Sequence, residues 1–425
     1  MTRMVAASAV LLALVIPALA QDSLNCRQVG LWPPGGIADN GGWGIALDPV
    51  RNLGFLAMEA DESLGRDLYY GVRILDVSDP TQPRKLSRFY PGHDDNATGL
   101  EYQANRLYLG YEGEPLQVWD VSDPEQPQHL GTQQASYGGY RLTLAGEYAY
   151  LAALCAGLRI VDVSDPRNPV EIGHCATGHI NDIAVTGELA YVVGDSVLHV
   201  VDLNDPTNPY RVGYWTAPVQ RWLEGVAVAG DYAYLTQELR SDSGYLYVVD
   251  VSNPEEPVLV GSRRTGREPR QITVSDDLAY VATYPGLFIY DVTNPADPVE
   301  VGYYLAPSPW APVVAGELVY VADLLAGLRV IEFLGAGVEE PPDTRPRFTG
   351  RSPTVVRGVL NLGAGHDRNP PGDFGSCPKP ALLDISGRKV MELVPGENDV
   401  RHLAPGVYFV RRQDTGESGR LVLVE

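Results

Sequence analysis

One five-residue phrase recurs along most of this 425-residue chain and constrains its fold more than any other feature. The phrase reads Asp-Val-Ser-Asp-Pro or a close variant. Six clear copies begin at Asp76, Asp120, Asp162, Asp202, Asp250 and Asp291. A worn seventh copy centres on Glu332, and successive copies stand 44, 42, 40, 48, 41 and 41 residues apart. A period of about 40 residues is typical of architectures in which each repeat stacks on its neighbours.

Each repeat contains the pattern of four short strands. An apolar run such as Leu158–Asp162 precedes the phrase, and its β-branched residues favour a strand. A second proline, such as Pro169, follows the phrase and opens another run, which we assign to the outermost strand because proline is tolerated at a strand start or sheet edge. Two more strands lie between phrases, as in residues 182–187 and 189–193. Four strands in about 40 residues predict one blade of a β-propeller.

The strand count predicts seven blades. The unit around Glu332 ends without an outermost strand, whereas the orphan segment 27–33 resembles the outermost strand at 299–304. Pairing of the orphan with the last unit would close the ring and leave no raw sheet edge. We therefore predict an all-β fold, with a seven-bladed β-propeller over residues 21–338 that is closed by an N-terminal strand.

The strand before each phrase carries a family resemblance. Residues 158–162 read Leu-Arg-Ile-Val-Asp, residues 198–202 read Leu-His-Val-Val-Asp, and residues 328–332 read Leu-Arg-Val-Ile-Glu. This wording resembles the LVIVD repeat family over most of residues 27–333. The resemblance implies a secreted or surface propeller and supplies no catalytic residues.

The N-terminus has the pattern of an export signal. Arg3 is followed by an apolar run from Val5 to Ile16 and then by Pro-Ala-Leu-Ala at residues 17–20. A basic start, a short apolar stretch and an Ala-x-Ala site are typical of a secretory signal peptide, which we place at residues 1–20. No later segment is long and apolar enough to span a membrane. We therefore expect a secreted or cell-surface protein without a transmembrane segment in its mature chain.

The last 87 residues differ from the repeats in composition. A Pro-rich linker is predicted at residues 339–350. Residues 339–425 carry 12 acidic and 12 basic side chains, whereas residues 21–338 carry 42 and 19, so the acidity belongs to the propeller. Short apolar runs separated by turns, such as 407–410 and 420–424, predict a small antiparallel β-sandwich over residues 351–425.

Two blocks of this tail resemble the type A C-terminal sorting domain of type IX secretion. They are Leu-Asp-Ile-Ser-Gly-Arg-Lys-Val at 383–390 and Leu-Ala-Pro-Gly-Val-Tyr-Phe-Val at 403–410, followed by a final strand. The chain ends in Glu425, where that family commonly has a basic residue. The resemblance implies a type IX-like secretion machinery as partner, with outer-membrane export after the signal peptide has acted.

Composition and motifs exclude several functions. The formal net charge of −22 disfavours nucleic acid, because a strongly acidic protein repels phosphates. The sequence lacks P-loop, EF-hand, Gly-x-Ser-x-Gly and His-Glu-x-x-His motifs. His93 and His179 could hold a metal with Asp182, but their spacing is not diagnostic. We predict no cofactor, no metal and no nucleic-acid partner.

The candidate ligand site comes from the positions at which blades differ. When the innermost strands are aligned on the turn glycines, the residues six positions earlier are aromatic or polar and should surround one mouth of the channel. With Trp222 from a neighbouring loop, the candidate ligand-binding residues are Trp43, Tyr140, Asn181, Trp222, Glu224, Arg270 and Trp310. Aromatic platforms beside hydrogen-bonding groups suit a glycan or a peptide, and a protein ligand is a further candidate.

Other interpretations of the same residues remain open. The aromatic side chains would plug the channel if no ligand binds there. Glu224 with Asp182 or Glu268 would suit a secreted polysaccharide hydrolase or lyase, at a carboxylate separation of about 5–10 Å. Neither pair has diagnostic spacing, so the sequence assigns no catalytic residue and favours a binding protein over an enzyme. A structural surface protein is a third interpretation.

Two of the four cysteines are candidates for a disulfide. Cys155 lies before the third strand of its blade and Cys175 ends the fourth, and antiparallel pairing brings these strand ends together. The alternative is a pair of free thiols. Cys26 and Cys377 have no evident partner.

Overall fold

The computed structural model describes residues 23–335, apart from 33–38, 61–70, 93–96, 112–113, 135–138 and 240–242, and the backbone of seven strands between 354 and 423. The predicted signal peptide and the predicted linker lie outside the described residues. Every regular element in the described ranges is a β-strand. Within those ranges no helix has the length and hydropathy required to span a membrane.

The propeller contains twenty-nine strands in chain order. Those of the N-terminal segment and the first two blades are β1 (Ser23–Leu24), β2 (Cys26–Trp32), β3 (Asp39–Asp48), β4 (Leu53–Ala60), β5 (Gly71–Asp76), β6 (Arg84–Phe89), β7 (Ala97–Gln103), β8 (Arg106–Tyr111), β9 (Gln117–Asp120) and β10 (Gln128–Thr132). Those of blades three and four are β11 (Arg141–Ala145), β12 (Tyr148–Ala152), β13 (Leu158–Asp162), β14 (Val170–Cys175), β15 (Asp182–Thr186), β16 (Leu189–Gly194), β17 (Val197–Asp202) and β18 (Tyr210–Thr216). Those of the last three blades are β19 (Leu223–Ala229), β20 (Tyr232–Glu238), β21 (Gly244–Asp250), β22 (Val258–Thr265), β23 (Ile272–Ser275), β24 (Leu278–Thr283), β25 (Gly286–Asp291), β26 (Val299–Leu305), β27 (Pro309–Ala315), β28 (Leu318–Asp323) and β29 (Gly327–Phe333).

These strands form seven antiparallel sheets, as the repeat count predicts. Six blades follow the chain from the innermost to the outermost strand, as in the order β11-β12-β13-β14. Each innermost strand contacts the innermost strands of both neighbouring blades, and β27 contacts β3. The ring is therefore closed around a central channel.

The N-terminal strand completes the seventh blade, as predicted. Strand β2 pairs antiparallel with β29, with Arg27 opposite Glu332. The sequence did not predict β1, which adds a fifth strand to the sixth blade by pairing Ser23 with Tyr304. Consecutive residues at the N-terminus thus join the outer edges of two neighbouring blades.

The core consists of seven apolar clusters, one between each pair of neighbouring blades in the described part of the chain. The middle strands of a blade are buried on both faces, as in β16, where Ala190, Tyr191, Val192 and Val193 are all at least nine-tenths buried. The cluster between the last and first blades joins Tyr320 and Leu328 to residues of β3 and β4. A blade therefore buries its apolar surface only against other blades, which explains why the fold requires the full ring.

The repeated phrase forms a turn at the end of each third strand. The first aspartate accepts a hydrogen bond from the backbone N–H two residues later, as from Ser164 to Asp162 at 2.9 Å. The same bond forms in the other five clear copies. The residue before proline accepts a matching bond, as from Arg167 to Asp165 at 3.0 Å. The periodic aspartates are structural, as their recurrence predicts.

The C-terminal strands pair only with one another among the described residues. They are β30 (Thr354–Val356), β31 (Val359–Leu362), β32 (Ala381–Leu383), β33 (Lys389–Glu392), β34 (Gly396–Asp399), β35 (Gly406–Arg411) and β36 (Ser418–Leu423). Five strands form a sheet in the order β30-β36-β35-β32-β33, and β31 pairs with β34. The pairs are antiparallel except for β30 with β36, which are parallel.

Candidate functional site

Seven side chains occupy equivalent positions at the start of the seven innermost strands. In each blade the next residue lies opposite an equivalent position on the second strand, as in the pairs Arg141–Ala152 and Asp182–Val193. The set comprises Trp43, Thr98, Tyr140, Asn181, Glu224, Arg270 and Trp310, which we call the channel-mouth ring. The structure thus brings together six of the seven candidate ligand-binding residues, with Trp222 two positions before Glu224 on the same segment.

One side of the ring is an aromatic and cationic stack. The rings of Trp43 and Trp310 meet edge to face with centroids 4.3 Å apart. The guanidinium of Arg270 lies over the Trp310 ring, 4.0 Å from its centroid. Such contacts are favourable because the face of an aromatic ring carries partial negative charge. This stack joins the first, sixth and seventh blades and gives the mouth a rigid surface.

Both indole N–H groups of this stack lack a partner. The Nε1 atoms of Trp43 and Trp310 are buried and donate no hydrogen bond within the described part of the chain. A buried donor without an acceptor costs about 1–3 kcal/mol, so such groups are rare unless a bound molecule satisfies them. Two such donors 4.3 Å apart, measured between ring centroids, mark this side of the mouth as a place for a ligand's oxygen atoms.

The other side of the ring is rich in buried carboxyl groups. Burial raises the pKa of Glu224 to about 7, and the negative charge of Glu238 adds to the shift. Burial also raises the pKa of Asp182 to about 6, although Asp182 accepts a 3.0 Å hydrogen bond from the N–H of Val226. Arg141 and Arg270 oppose the rise at Glu224. This side therefore holds carboxyl groups that can be protonated or ionised near neutral pH.

The rim beside the sixth blade is a network of alternating charges. Glu268 lies 3.6 Å from Arg267 and 3.5 Å from Arg270, measured between carboxylate oxygens and guanidinium nitrogens. The guanidinium of Arg267 in turn lies over the ring of Tyr284, 5.5 Å from its centroid. Glu268 has a backbone φ of 47°, a left-handed conformation that costs free energy in a glutamate. The network presents both charge signs to a ligand.

Tyr140 and Thr98 connect the second and third blades through the backbone. The hydroxyl of Thr98 donates to the carbonyl of Tyr140, and the guanidinium of Arg141 donates to the carbonyl of Thr98. Arg141 is 5% exposed and also lies over the Tyr140 ring, 5.2 Å from its centroid. Thr98 and Arg141 are therefore structural supports that hold Tyr140 at the mouth.

Asn181 and Trp222 contact the same histidine. Asn181 Oδ1 lies 2.9 Å from His179 Nε2, and Asn181 Nδ2 donates to the carbonyl of Leu223 at 2.9 Å. The Trp222 ring stacks on the His179 ring with centroids 5.5 Å apart and an angle of 25° between the planes. Trp222 is 57% exposed, which leaves much of its face open to a ligand.

The two candidate disulfide cysteines are free thiols in the structure. Strand pairing does place Cys175 opposite Leu158, near the turn that holds Cys155. The Sγ of Cys155, however, contacts His179 Nδ1 at 3.3 Å. Cys175 is buried, and burial raises the pKa of its thiol.

A cavity of about 310 Å³ lies further along the channel, away from the ring. It is lined by the later residues of β3, β7 and β27, including Leu47, Glu101 and Val314. Burial raises the pKa of Glu101 to about 7, with a contribution from Asp182. Sequence reasoning missed Glu101, although strand alignment offers a signal: the equivalent residues in the other blades are alanine, valine or threonine.

The described residues contain no group of three or more His, Cys, Asp or Glu side chains that could hold a metal ion. His93, which the sequence singles out with His179 and Asp182, lies outside the described residues, as does Cys377. The carboxyl groups of the mouth therefore act among arginines and aromatic rings in the described structure.

Comparison with solved structures supports the architecture. A chain of the Mitotic Checkpoint Complex matches with a TM-score of 0.58 and 12% identity, over 78% of this chain and 98% of that one. The β-propeller domain of Myceliophteria thermophila Cps50 (Swd1) matches with a TM-score of 0.54 and 14% identity, over 72% and 100%. Sqt1 from Chaetomium thermophilum matches with a TM-score of 0.51 and 16% identity, over 71% and 86%. Identities this low show a shared fold alone.

Comparison by sequence gives a narrower result. No relative was found among curated proteins. Four consecutive segments match the family model of the LVIVD repeat, at residues 140–177, 178–216, 223–265 and 266–306. These segments correspond to the third through sixth blades. The chain is therefore a seven-bladed β-propeller protein that contains four LVIVD repeats.

Proposed function

We propose that this protein is an exported β-propeller that binds a ligand through the channel-mouth ring and Trp222. The observation that carries the proposal is the pair of buried, unpartnered indole N–H groups on Trp43 and Trp310, beside the guanidinium of Arg270. The indoles supply apolar faces and hydrogen-bond donors, while Glu224 and Arg270 supply charge. Such a combination suits a glycan or a peptide, because both present apolar faces beside polar atoms.

The test is native mass spectrometry of the full chain with pooled glycans and peptides. We expect a bound mass with the wild type and at least a hundredfold weaker binding after Trp43→Ala, Glu224→Ala and Arg270→Ala are combined, since central aromatic and arginine residues dominate binding energy. The matched control combines Asp76→Ala, Asp162→Ala and Asp250→Ala at the outer turns and should bind as the wild type does. Equal binding by both triple variants would contradict the proposed site.

A second candidate function rests on the carboxyl groups. The raised pKa values of Glu224 and Asp182, about 7 and 6, allow one group to donate a proton while the other accepts one near neutral pH. This favours a polysaccharide hydrolase or lyase over a structural surface protein as the alternative. Glu224→Gln distinguishes the two candidates: turnover of a bound glycan would be lost in an enzyme, whereas a binding protein shows no turnover in either form.

Export forms a separate part of the proposal. The signal-peptide pattern at residues 1–20 and the sorting-like blocks at 383–390 and 403–410 support secretion through a type IX-like route to the outside or the cell surface. In a host that has this machinery, removal of residues 351–425 should leave the protein in the periplasm. A truncated chain that still reaches the medium would contradict the sorting role of the tail.

A further inference from the structure

Cys155 lies in a relay of three side chains at the channel end of the third and fourth blades. Its exposed Sγ is 3.3 Å from His179 Nδ1, and His179 Nε2 is 2.9 Å from Asn181 Oδ1. Asn181 is 5% exposed, and its Nδ2 donates to the carbonyl of Leu223 at 2.9 Å. The relay thus runs from a surface thiol through an imidazole to a buried amide.

The hydrogen bonds fix which nitrogen of His179 can accept a proton. The carbonyl of Leu223 can only accept, so Asn181 must turn Nδ2 towards it and Oδ1 towards the imidazole. Oδ1 also only accepts, so Nε2 carries the hydrogen of the neutral ring. Nδ1 therefore presents its lone pair to the thiol of Cys155. The imidazole is oriented as a base towards the sulfur.

We propose that Cys155 is a nucleophile that accepts acyl groups from activated esters and thioesters, with His179 as its base and Asn181 as the residue that positions the base. A thiol, an imidazole and an amide in this order have the arrangement that cysteine hydrolases use. Trp222 stacks on the imidazole and restricts its rotation. The site needs no cofactor or oxidant, because every group that acts is a side chain of this chain.

The reaction balances as an acyl transfer. The Cys155 thiol gives its proton to His179 Nδ1 while the sulfur attacks the carbonyl carbon, and the C–O or C–S bond to the leaving group breaks with its electron pair. The product is a thioester on Cys155. Water then attacks that thioester, a proton of the water passes through His179, and the sulfur leaves as the restored thiol.

The turn that holds Cys155 differs from its closest counterpart in the same ring. Residues 153–157 read Ala-Leu-Cys-Ala-Gly, and residues 323–327 of the seventh blade read Asp-Leu-Leu-Ala-Gly. Leu325, which is 65% exposed, occupies the position of Cys155. The residue before the thiol, Leu154, has a φ of 45°, a left-handed conformation that is unfavourable for a leucine.

A buried hydroxyl beside the same turn is also unsatisfied. Thr177 is 7% exposed, and its Oγ1 has no hydrogen-bond partner within the described residues. It lies 3.3 Å from the position that a Cβ on Gly157 would occupy, at the end of the Cys155 turn. A buried hydroxyl without a partner calls for a water or a bound group to satisfy it. The surroundings of Cys155 therefore hold hydrogen-bonding capacity that the protein itself does not use.

The other described cysteines cannot compete for the reaction. Cys26 and Cys175 are both at least nine-tenths buried. Burial raises the pKa of Cys26 to about 12 and raises that of Cys175 as well, which disfavours their thiolates. Cys377, which lies outside the described residues, is replaced by Ser in every protein used for the test.

The test measures acetylation of the full chain by p-nitrophenyl acetate, with release of p-nitrophenolate and peptide mapping of the acetyl group. We expect one acetyl group per chain, on Cys155, and a roughly hundredfold slower acetylation in His179→Ala, since general-base assistance contributes about 10²–10⁴-fold. The control protein combines Cys155→Ala with Leu325→Cys, which places an exposed thiol in the equivalent turn without the histidine relay. We expect it to react about a hundredfold more slowly than the wild type.

Two results would overturn the proposal. One is a Cys155 that reacts no faster than the cysteine at position 325, and this comparison requires no change to the relay itself. The other is an unchanged rate in a folded His179→Ala protein. The probe is a small ester, so the result is independent of ligand binding at the channel mouth.

The positioning role of Asn181 has its own readout. Asn181→Asp places a carboxylate against Nε2, which favours the protonated imidazole and raises the pH at which the free base forms. We expect the ascending limb of the pH–rate profile of acetylation to shift to higher pH by about one unit. A merely structural asparagine would leave the midpoint of that profile in place, and such a result would remove Asn181 from the relay.

Discussion

The two ends of a blade use acidic side chains in opposite ways. At the outer turns, the side-chain and backbone donors of Ser78 lower the pKa of Asp76 to about 2, and similar bonds lower the pKa of Asp120 and Asp162. In the channel, burial raises the pKa of Glu224 to about 7. The turn aspartates are ionised, bonded to their own backbone and repeated in every clear copy. The channel carboxyl groups are costly to ionise and differ from blade to blade.

This difference teaches how a repeat protein separates stability from specificity. A residue that recurs at one position in every blade solves a problem that every blade has, here the satisfaction of turn N–H groups. A residue found in one blade only must answer to something that is itself single, such as a ligand on the channel axis or the seam of the ring. The predictions below test that division, from the largest effect to the smallest.

The largest effect is expected at the seam, where unique residues are structural. Arg329 lies 2.7 Å from Asp323 and donates to Gln28 on the closing strand at 2.7 Å. Arg329→Ala leaves Asp323, which is fully buried, without its partner, so we expect a loss of about 3–5 kcal/mol in the free energy of unfolding. Urea denaturation measures this loss.

The control for the seam is an exposed pair on the same two strands. Arg27 and Glu332 form an ion pair in which the arginine side chain is 66% exposed, so Arg27→Ala should cost under about 1 kcal/mol. Equal losses in the two variants would show that burial of the Arg329 pair does not matter. An Arg329→Ala protein with weakened ligand binding would break the assignment of the seam to stability alone.

A smaller effect of opposite sign is expected inside the channel. The native pKa of Glu101, about 7, lies above the ordinary value of 4.5, so its native state favours the neutral acid. Stability from this group is present below pH 4.5 and is lost as the pH rises towards 7. Glu101→Gln should therefore be more stable than the wild type at pH 8 by about 2 kcal/mol and nearly equal at pH 4. Urea unfolding at both pH values measures the difference, and a parallel fall in both proteins would contradict the assignment.

The outer turns should show the reverse dependence on pH. The native pKa of Asp76 lies below the ordinary value of 3.8, so its contribution is present above that value and is lost as the pH falls towards 2. Asp76→Asn should reduce stability by about 0.5–1 kcal/mol at pH 7, because the carboxylate is partly exposed, and by less at pH 2. Thermal unfolding at the two pH values tests this, with Asp79→Asn as a second variant in the same turn. A deficit that stays constant with pH would mean that ionisation of Asp76 does not contribute.

The smallest stability effect is expected at Trp222. Its indole is 57% exposed, so Trp222→Ala should change the free energy of unfolding by less than about 1 kcal/mol. Ligand binding should nevertheless weaken at least tenfold if the exposed face is a contact. Calorimetric unfolding and ligand titration of one variant separate the two quantities. A large loss of stability with unchanged binding would transfer Trp222 from the site to the scaffold.

Sequence reasoning reached the fold further than it reached the site. The period of the phrase gave seven blades, and the missing strand after Phe333 gave the closure by β2. Strand β1 was missed because two residues carry too little pattern to indicate a strand. Alignment placed Trp43 and Glu224 in one ring, since equivalent positions in equivalent blades must surround one axis. It could not place Cys155 beside His179, because that contact depends on where two loops of unequal length meet.

The pairing of β2 with β29 imposes an order on synthesis. Residues 26–32 leave the ribosome among the first of the propeller, yet their hydrogen-bond partners at 327–333 are the last. Until those partners appear, both ends of the growing arc carry unpaired backbone groups that can recruit another chain. A factor that shields the nascent N-terminus until Phe333 has been made would therefore raise the yield of folded protein, and a stalled or shortened chain would aggregate from both ends.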